Sequence, residues 1–273
     1  MDLPHFLPKG LFDPYDRPAR LYPGLLALMP LPVLLLGLYG PAYPWISGPL
    51  SIVSFCGGGY LLGRISRDAG KRLQDRLFTK WGGAPTTQLL RFRDPLFDRH
   101  TKERFHRILA VGLGKSMPTA DEELADPVAA DEAYRAASMW LIGQTRDAKA
   151  FPLVFKENIA FGFQRNSLGI RPYGITVATI CIAWPLIHAK ALLVTQPFVV
   201  ADRLENVAAG EAVTIVVSIV MMIVWFVFLT ESAAKRTAFS YAERLLQSCD
   251  HLKSTATSQR TAAKQRGKKS ALS

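Results

Sequence analysis

The run LYPGLLALMPLPVLLLGLYGPAYPWISGPLSIVSFCGGGYLLG fills residues 21–63 without one charged side chain in 43 positions. About 20 apolar residues are enough to cross the hydrocarbon core of a bilayer, so the run is too long for one helix. Its middle, Pro41-Ala-Tyr-Pro44-Trp-Ile-Ser-Gly48-Pro49, carries three prolines and a glycine and reads as a turn. The run therefore predicts a first span at Leu21–Gly40 and a second at about Leu50–Gly63. A third span fits Pro172 to about Leu193, uncharged until Lys190, whose ammonium can snorkel to the interface. A fourth fits the 19 uncharged residues Ala212–Thr230.

The composition agrees. Apolar residues make up 49% of the 273 positions, which excludes a disordered or collagen-like chain, and three cysteines exclude a disulfide scaffold. Lys and Arg then orient the spans. Residues 64–171 hold 19 of them, the chain after Thr230 holds nine and the first 20 residues hold three, while the connection at about Val194–Glu211 holds only Arg203. With four spans, all three basic regions fall on one face. The expected fold is an all-α membrane protein with four transmembrane helices in two hairpins and a helical cytoplasmic domain between them. The expected location is a bacterial inner membrane, multi-pass, with both termini cytoplasmic. The expected parts are an N-terminal segment 1–20, hairpins 21–63 and 172–230, a basic domain 64–171, a cytoplasmic helix 231–252 and a disordered basic tail 253–273. No cleavage signal follows the first acidic residues, so the first span is expected to be retained.

Within the basic domain, Ile65, Ala69, Leu73 and Leu77 recur every four residues, which extends the second span as one helix of about 33 residues until Gly82-Gly83 stops it. Thr101 is expected to cap a helix carrying Phe105, Ile108, Leu109 and Leu113 on one face. The acidic stretch Pro118–Asp126 reads as a surface segment, and Ala130–Thr145 as a third helix. After the fourth span the helix can run on through Ser232–Leu252. There Phe239, Ala242, Leu246 and Cys249 form either a coiled-coil seam or a face docked on the same chain.

No catalytic pattern stands out, so the chain reads as a non-enzyme with no cofactor and no metal. Asp94, Asp98, His100 and His106 lie among arginines, which a metal-dependent hydrolase can use but a solvated basic surface shows equally. Leu113-Gly-Lys-Ser116 lacks the first glycine and preceding strand of a phosphate loop. Two features invite function instead. Arg91, Arg93, Arg99, Arg104 and Arg107, interleaved with Phe92, Phe97 and Phe105, suit an anionic ligand such as a nucleotide or oligonucleotide, since guanidinium forks match phosphate and aromatics stack bases. In the spans, Gly57, Gly58 and Gly59 suit a hinge, Thr214 and Ser218 a hydroxyl-lined pore and Met222 an apolar gate. The same small and hydroxyl residues also serve ordinary helix packing in lipid.

The stretch from Phe151 to Gly174, with Lys156-Glu-Asn158, Gly162, Arg165-Asn166 and Gly169, resembles poorly characterised bacterial membrane proteins of defence operons. The span pattern is similar to that of the Hailong-type channel effector. The resemblance implies an oligomeric membrane channel controlled by nucleic-acid oligomers in phage defence. Arg165, Asn166 and Arg171 stand just before the third span, where the glycines allow tight turns. These three are read as an elbow that couples the cytoplasmic domain to that span. The alternative is a non-catalytic membrane anchor or scaffold that recruits a cytosolic protein partner. The bilayer and a homo-oligomeric copy are the other partners expected.

Overall fold

A computed structural model describes residues 14–43, 48–195, 198–201 and 207–252. The basic tail, residues 1–13 of the N-terminal segment and positions 44–47 of the proline turn lie outside the described residues. The fold is helical. Helix α1 spans Arg17–Tyr39. It is followed by α2 (Pro49–Lys80), α3 (Pro85–Gln88), α4 (Arg99–Leu113), α5 (Ala120–Ala125), α6 (Pro127–Gln144), α7 (Pro152–His188), α8 (Ala209–Phe228) and α9 (Glu231–Gln247). Three of these, α1, α7 and α8, are long and apolar enough to cross a membrane. The stretch Leu50–Gly63 is helical, but it is only the first part of α2 and carries four glycines and two serines before Arg64.

The chain divides into two units, one of Met1–Asp75 with Ile159–Lys235 and one of Arg76–Asn158 with Arg236–Ser273. In the first, backbones touch where glycines face each other. A Cβ on Gly24 would lie 2.5 Å from the Gly59 carbonyl, one on Gly37 would lie 2.7 Å from the Gly210 carbonyl, and one on Gly169 would lie 2.5 Å from the Gly70 nitrogen. Small residues permit this approach, and dispersion then holds helices together where lipid supplies no hydrophobic drive. Trp225 and Leu229 pack with Ala27 and Ile170 in the same unit. Outward, α8 presents Val213, Val216, Val220, Ile223, Phe226 and Phe228, all exposed within the chain. Such a face suits lipid.

The second unit has its own core. Phe105 and Leu109 of α4, Tyr134, Ala137 and Leu141 of α6, and Ala242, Leu245, Leu246 and Cys249 are all buried together with Leu89 and Leu90. The apolar face at Phe239–Cys249 is therefore docked on its own chain, and the coiled-coil seam is set aside.

Four local expectations are corrected. The connection after α7 holds an antiparallel strand pair, β1 (Leu192–Thr195) and β2 (Phe198–Ala201), with Leu192 opposite Ala201 and Thr195 opposite Phe198. Its Val and Thr content favours strand. The fourth span does not run on as one helix. Its last turn, Val224–Phe228, is π-helical, Leu229 leaves helical geometry at φ −97° and ψ 71°, and Thr230 starts α9 by accepting from the Ala233 amide at 3.2 Å. Asp98, rather than Thr101, caps α4, accepting from the Thr101 amide at 3.0 Å and its hydroxyl at 2.6 Å. Pro118–Asp126 contains helix α5, closed by a reciprocal box in which Thr119 and Glu122 each bond the other's amide. The stop of α2 at Gly82 and Gly83 is as expected, with φ of 85° and 128°.

Candidate functional site

The second unit builds its polar centre from the loop before α4. Glu123 of α5 is buried and accepts from the Phe92 amide at 2.8 Å and from the Tyr134 hydroxyl at 2.7 Å. Lys102 of α4, almost fully buried, donates to the carbonyls of Arg91 at 2.8 Å, Phe92 at 3.3 Å and Asp94. Burial pushes the Lys102 ammonium below its ordinary pKa, opposed by Asp94, Glu123 and Asp98. Burial and the Glu123 bond both hold Tyr134 protonated. His106 donates through Nε2 to the Leu90 carbonyl at 2.8 Å, and its ring meets Phe92 edge-on at 4.9 Å.

The five expected anion-binding arginines occupy this region, mostly with partners in the chain. Arg91 forks onto Asp131 through Nε at 2.7 Å and a terminal nitrogen at 2.6 Å. Arg93 lies 3.7 Å from Asp131 and 3.9 Å from Glu123. Arg99 pairs with Glu103 at 2.9 Å and Arg104 with Asp250 at 3.3 Å. Arg107 is exposed and has no ion pair among the described residues. Asp131 brings Arg91 and Arg93 together, while Arg99 and Arg104 each pair with a carboxylate of their own.

Beside this centre lies an apolar groove of about 380 Å³, floored by Met117, Pro118, Ala125, Ala129, Ala130 and Ala133. Glu122 and Asp126 stand at its rim. Leu124 and Val128, in the same two helices, are 81% and 72% exposed. Leu124 and Val128 do not line the groove, whose own alanines and Met117 make an apolar surface suited to a partner segment.

Three of the six residues expected to line or gate a pore, Gly59, Thr214 and Ser218, are buried inside the first unit. Thr214 and Ser218 are fully buried. The Thr214 hydroxyl donates to the Gly210 carbonyl at 2.8 Å, and that of Ser218 to the Thr214 carbonyl at 2.7 Å. Gly59 is buried against Leu25, Gly58 lies near Leu28, and Gly57 has open space beside it. Met222 is half-buried.

The elbow expected at Arg165–Arg171 is no turn: α7 runs straight through it, with Pro172 and Pro185 inside the helix. Gly162, Gly169 and Gly174 serve contact instead, against Tyr15, Gly70 and Trp225. Buried Asn166 donates to the Ala19 carbonyl at 2.7 Å and accepts from Arg165 Nε at 3.1 Å, while another Arg165 nitrogen donates to Gln74 at 2.7 Å. The Arg171 guanidinium lies 5.0 Å from the Phe226 ring centroid.

Sequence reasoning missed Glu211, placed in a connection but buried, where it meets His188 Nδ1 at 2.7 Å and caps the Ala208 amide at 2.8 Å. It also missed Glu123 and Lys102, whose burial has no signal in an acidic run or a basic helix. No protein-family pattern matches the chain, and no curated protein or solved structure shows significant similarity to it.

Proposed function

We propose that the chain is a non-catalytic membrane anchor whose helical domain recruits a cytosolic protein. In this reading Leu50–Gly63 is a fourth span, packed against α1 through Gly24 and Gly59. Both termini and the domain then face the cytoplasm of a bacterial cell. The domain takes an apolar segment with cationic flanks into the groove, because the floor is alanine and the rim carries Glu122 and Asp126. The observation that carries this reading is the groove itself, lined by Met117, Pro118 and four alanines in two helices that also expose Leu124 and Val128.

The second reading is an oligomeric channel-like effector of phage defence, gated by a nucleotide or oligonucleotide. It is favoured by the uncovered apolar face of α8, which a second copy can fill. The hydroxyls of Thr214 and Ser218 weigh against it, since both are buried and donate to backbone carbonyls, Thr214 to those of Gly210 and Val33 and Ser218 to that of Thr214. Two measurements separate the readings. Purified protein in planar bilayers, with and without oligonucleotides, is expected to be silent, and steady unitary currents would replace the anchor with the channel. Ala125→Glu with Ala129→Glu, two exposed alanines that line the groove, is expected to remove a stoichiometric partner that wild type retains on purification. Retention of that partner by the double variant would rule out the groove.

A further inference from the structure

A separate cavity of about 130 Å³ lies in the first unit, bordered by Asp16, Arg20, Tyr60, Arg64 and Arg67. Backbone contact creates it. A Cβ on Gly63 would lie 2.9 Å from the Arg20 carbonyl, and the Ser66 hydroxyl, which donates to the Gly63 carbonyl at 2.9 Å, also reaches the Arg20 carbonyl at 3.5 Å. This closeness draws the basic foot of α1 against the first basic turn of α2. Arg20, Arg64 and Arg67 then border one small space.

Their charges are poorly compensated. Arg20 pairs with Asp16 at 2.6 Å and lies 5.4 Å from the Tyr15 ring centroid. Arg64 and Arg67 have no ion pair among the described residues. The Nε atoms of Arg20 and Arg67 are both buried without a hydrogen-bond partner. Arg165 adds to the excess, since the charges of Arg20 and Arg67 act on it. One carboxylate facing three arginines leaves repulsion that an anion relieves, and buried unsatisfied donors are costly unless something accepts from them.

We propose that Arg20, Arg64 and Arg67 bind a phosphate group. Guanidinium N–H groups match phosphate oxygens in forked pairs, and several such groups can share one anion. The height of the cavity fits a lipid headgroup. Leu21 and Gly63, both at its wall, are the two ends of the uncharged run, so the cavity lies where apolar sequence meets basic sequence. Tyr60 beside it is a residue type enriched at that level of a bilayer. A phosphodiester of an anionic lipid and a free phosphate group offer the same chemistry here.

The test is native mass spectrometry of the full chain in detergent, titrated with phosphatidylglycerol or phosphatidylcholine, with and without millimolar inorganic phosphate. Wild type is expected to bind phosphatidylglycerol at least about tenfold more tightly than phosphatidylcholine, and Arg64→Ala with Arg67→Ala to lose that preference. Arg64 and Arg67 have no ion pair among the described residues, so the double variant is expected to keep its melting temperature. Competition by inorganic phosphate would assign the site to a soluble phosphate, and absence of competition to the lipid. Unchanged binding in the double variant, or no preference with no phosphate effect, overturns the proposal. If the double variant is lost during purification, Arg67→Lys keeps the charge and removes the fork. It is then expected to bind several-fold more weakly, and wild-type binding would overturn the proposal equally.

Discussion

Asn166 reaches across the first unit to Ala19, its amide donating to the Ala19 carbonyl at 2.7 Å from a fully buried position. The same side chain accepts from Arg165, so one residue ties α7 to the foot of α1 and also orients a guanidinium. Asn166→Leu removes both bonds and leaves a buried carbonyl without a donor. We expect a loss of about 1–3 kcal/mol. Thermal melting in detergent micelles measures it, and an unchanged midpoint would show that the bond is dispensable.

The glycines of α2 and α7 are not equivalent. A Cβ on Gly169 meets the Gly70 nitrogen at 2.5 Å, and backbone cannot move aside cheaply, whereas one on Gly57 meets nothing within 4 Å. Gly169→Ala is expected to cost about 1–3 kcal/mol through overpacking. Gly57→Ala is expected to be neutral or to stabilise by up to ~1 kcal/mol through helix propensity. Size-exclusion profiles and melting of the two variants side by side decide this.

Acid should weaken the second unit through His106. Burial lowers its pKa below the ordinary value, opposed by the Leu90 carbonyl. The unfolded chain therefore takes up the proton first as pH falls. The stability contributed by neutral His106 is complete above about pH 6.5 and is lost below it, as pH falls toward the folded-state pKa. Denaturant midpoints from pH 7.5 to 5 are expected to fall, and His106→Gln to flatten the slope.

Alkali acts on the same unit through Cys249, whose thiol is pushed up to about 12, chiefly by burial and then by Asp250. Its folded pKa exceeds the ordinary thiol value of about 8.5, so the stability it contributes is present below that value and declines as pH rises toward the folded pKa. The native thiol is expected to alkylate at least about tenfold more slowly than the unfolded one at pH 8.5, because little thiolate exists. Mass spectrometry after timed iodoacetamide treatment reads the rate.

The proposed orientation makes a labelling prediction. In a background with the three native cysteines replaced, Glu132→Cys is expected to react with a membrane-impermeant maleimide only after cells are opened. Ala208→Cys, beyond the strand pair, is expected to react in intact cells. The reverse pattern would place the domain on the other face.

Several features were legible because they depend on local chemistry. The long uncharged runs announced helices, three of them long and apolar enough to cross a membrane, and Gly82-Gly83 announced the end of α2, where both residues have positive φ. Other features depended on partners distant in sequence. Gly162, Gly169 and Gly174 looked like turn residues until Tyr15, Gly70 and Trp225 were seen against them. The arginine cluster was counted as free charge, but Arg91 is held by Asp131, 40 positions away. The runs Leu192–Thr195 and Phe198–Ala201 are too short to be told from the frayed end of an apolar helix. The box of Thr119 and Glu122 was readable at its spacing, but the acidity of the segment hid it.

The π-helical turn at Val224–Phe228 holds one more residue than an α-helix would place there. Deleting a single residue from it would restore the α-helical phase and turn the residues after it by about 100° relative to Thr214 and Ser218. Thr214 and Ser218 are buried on the earlier turns of α8, and Trp225 and Leu229 are buried with Ala27 and Ile170 at its end. The extra residue thus keeps both ends of one helix in register with the same neighbours, and a shortened turn could satisfy only one end at a time.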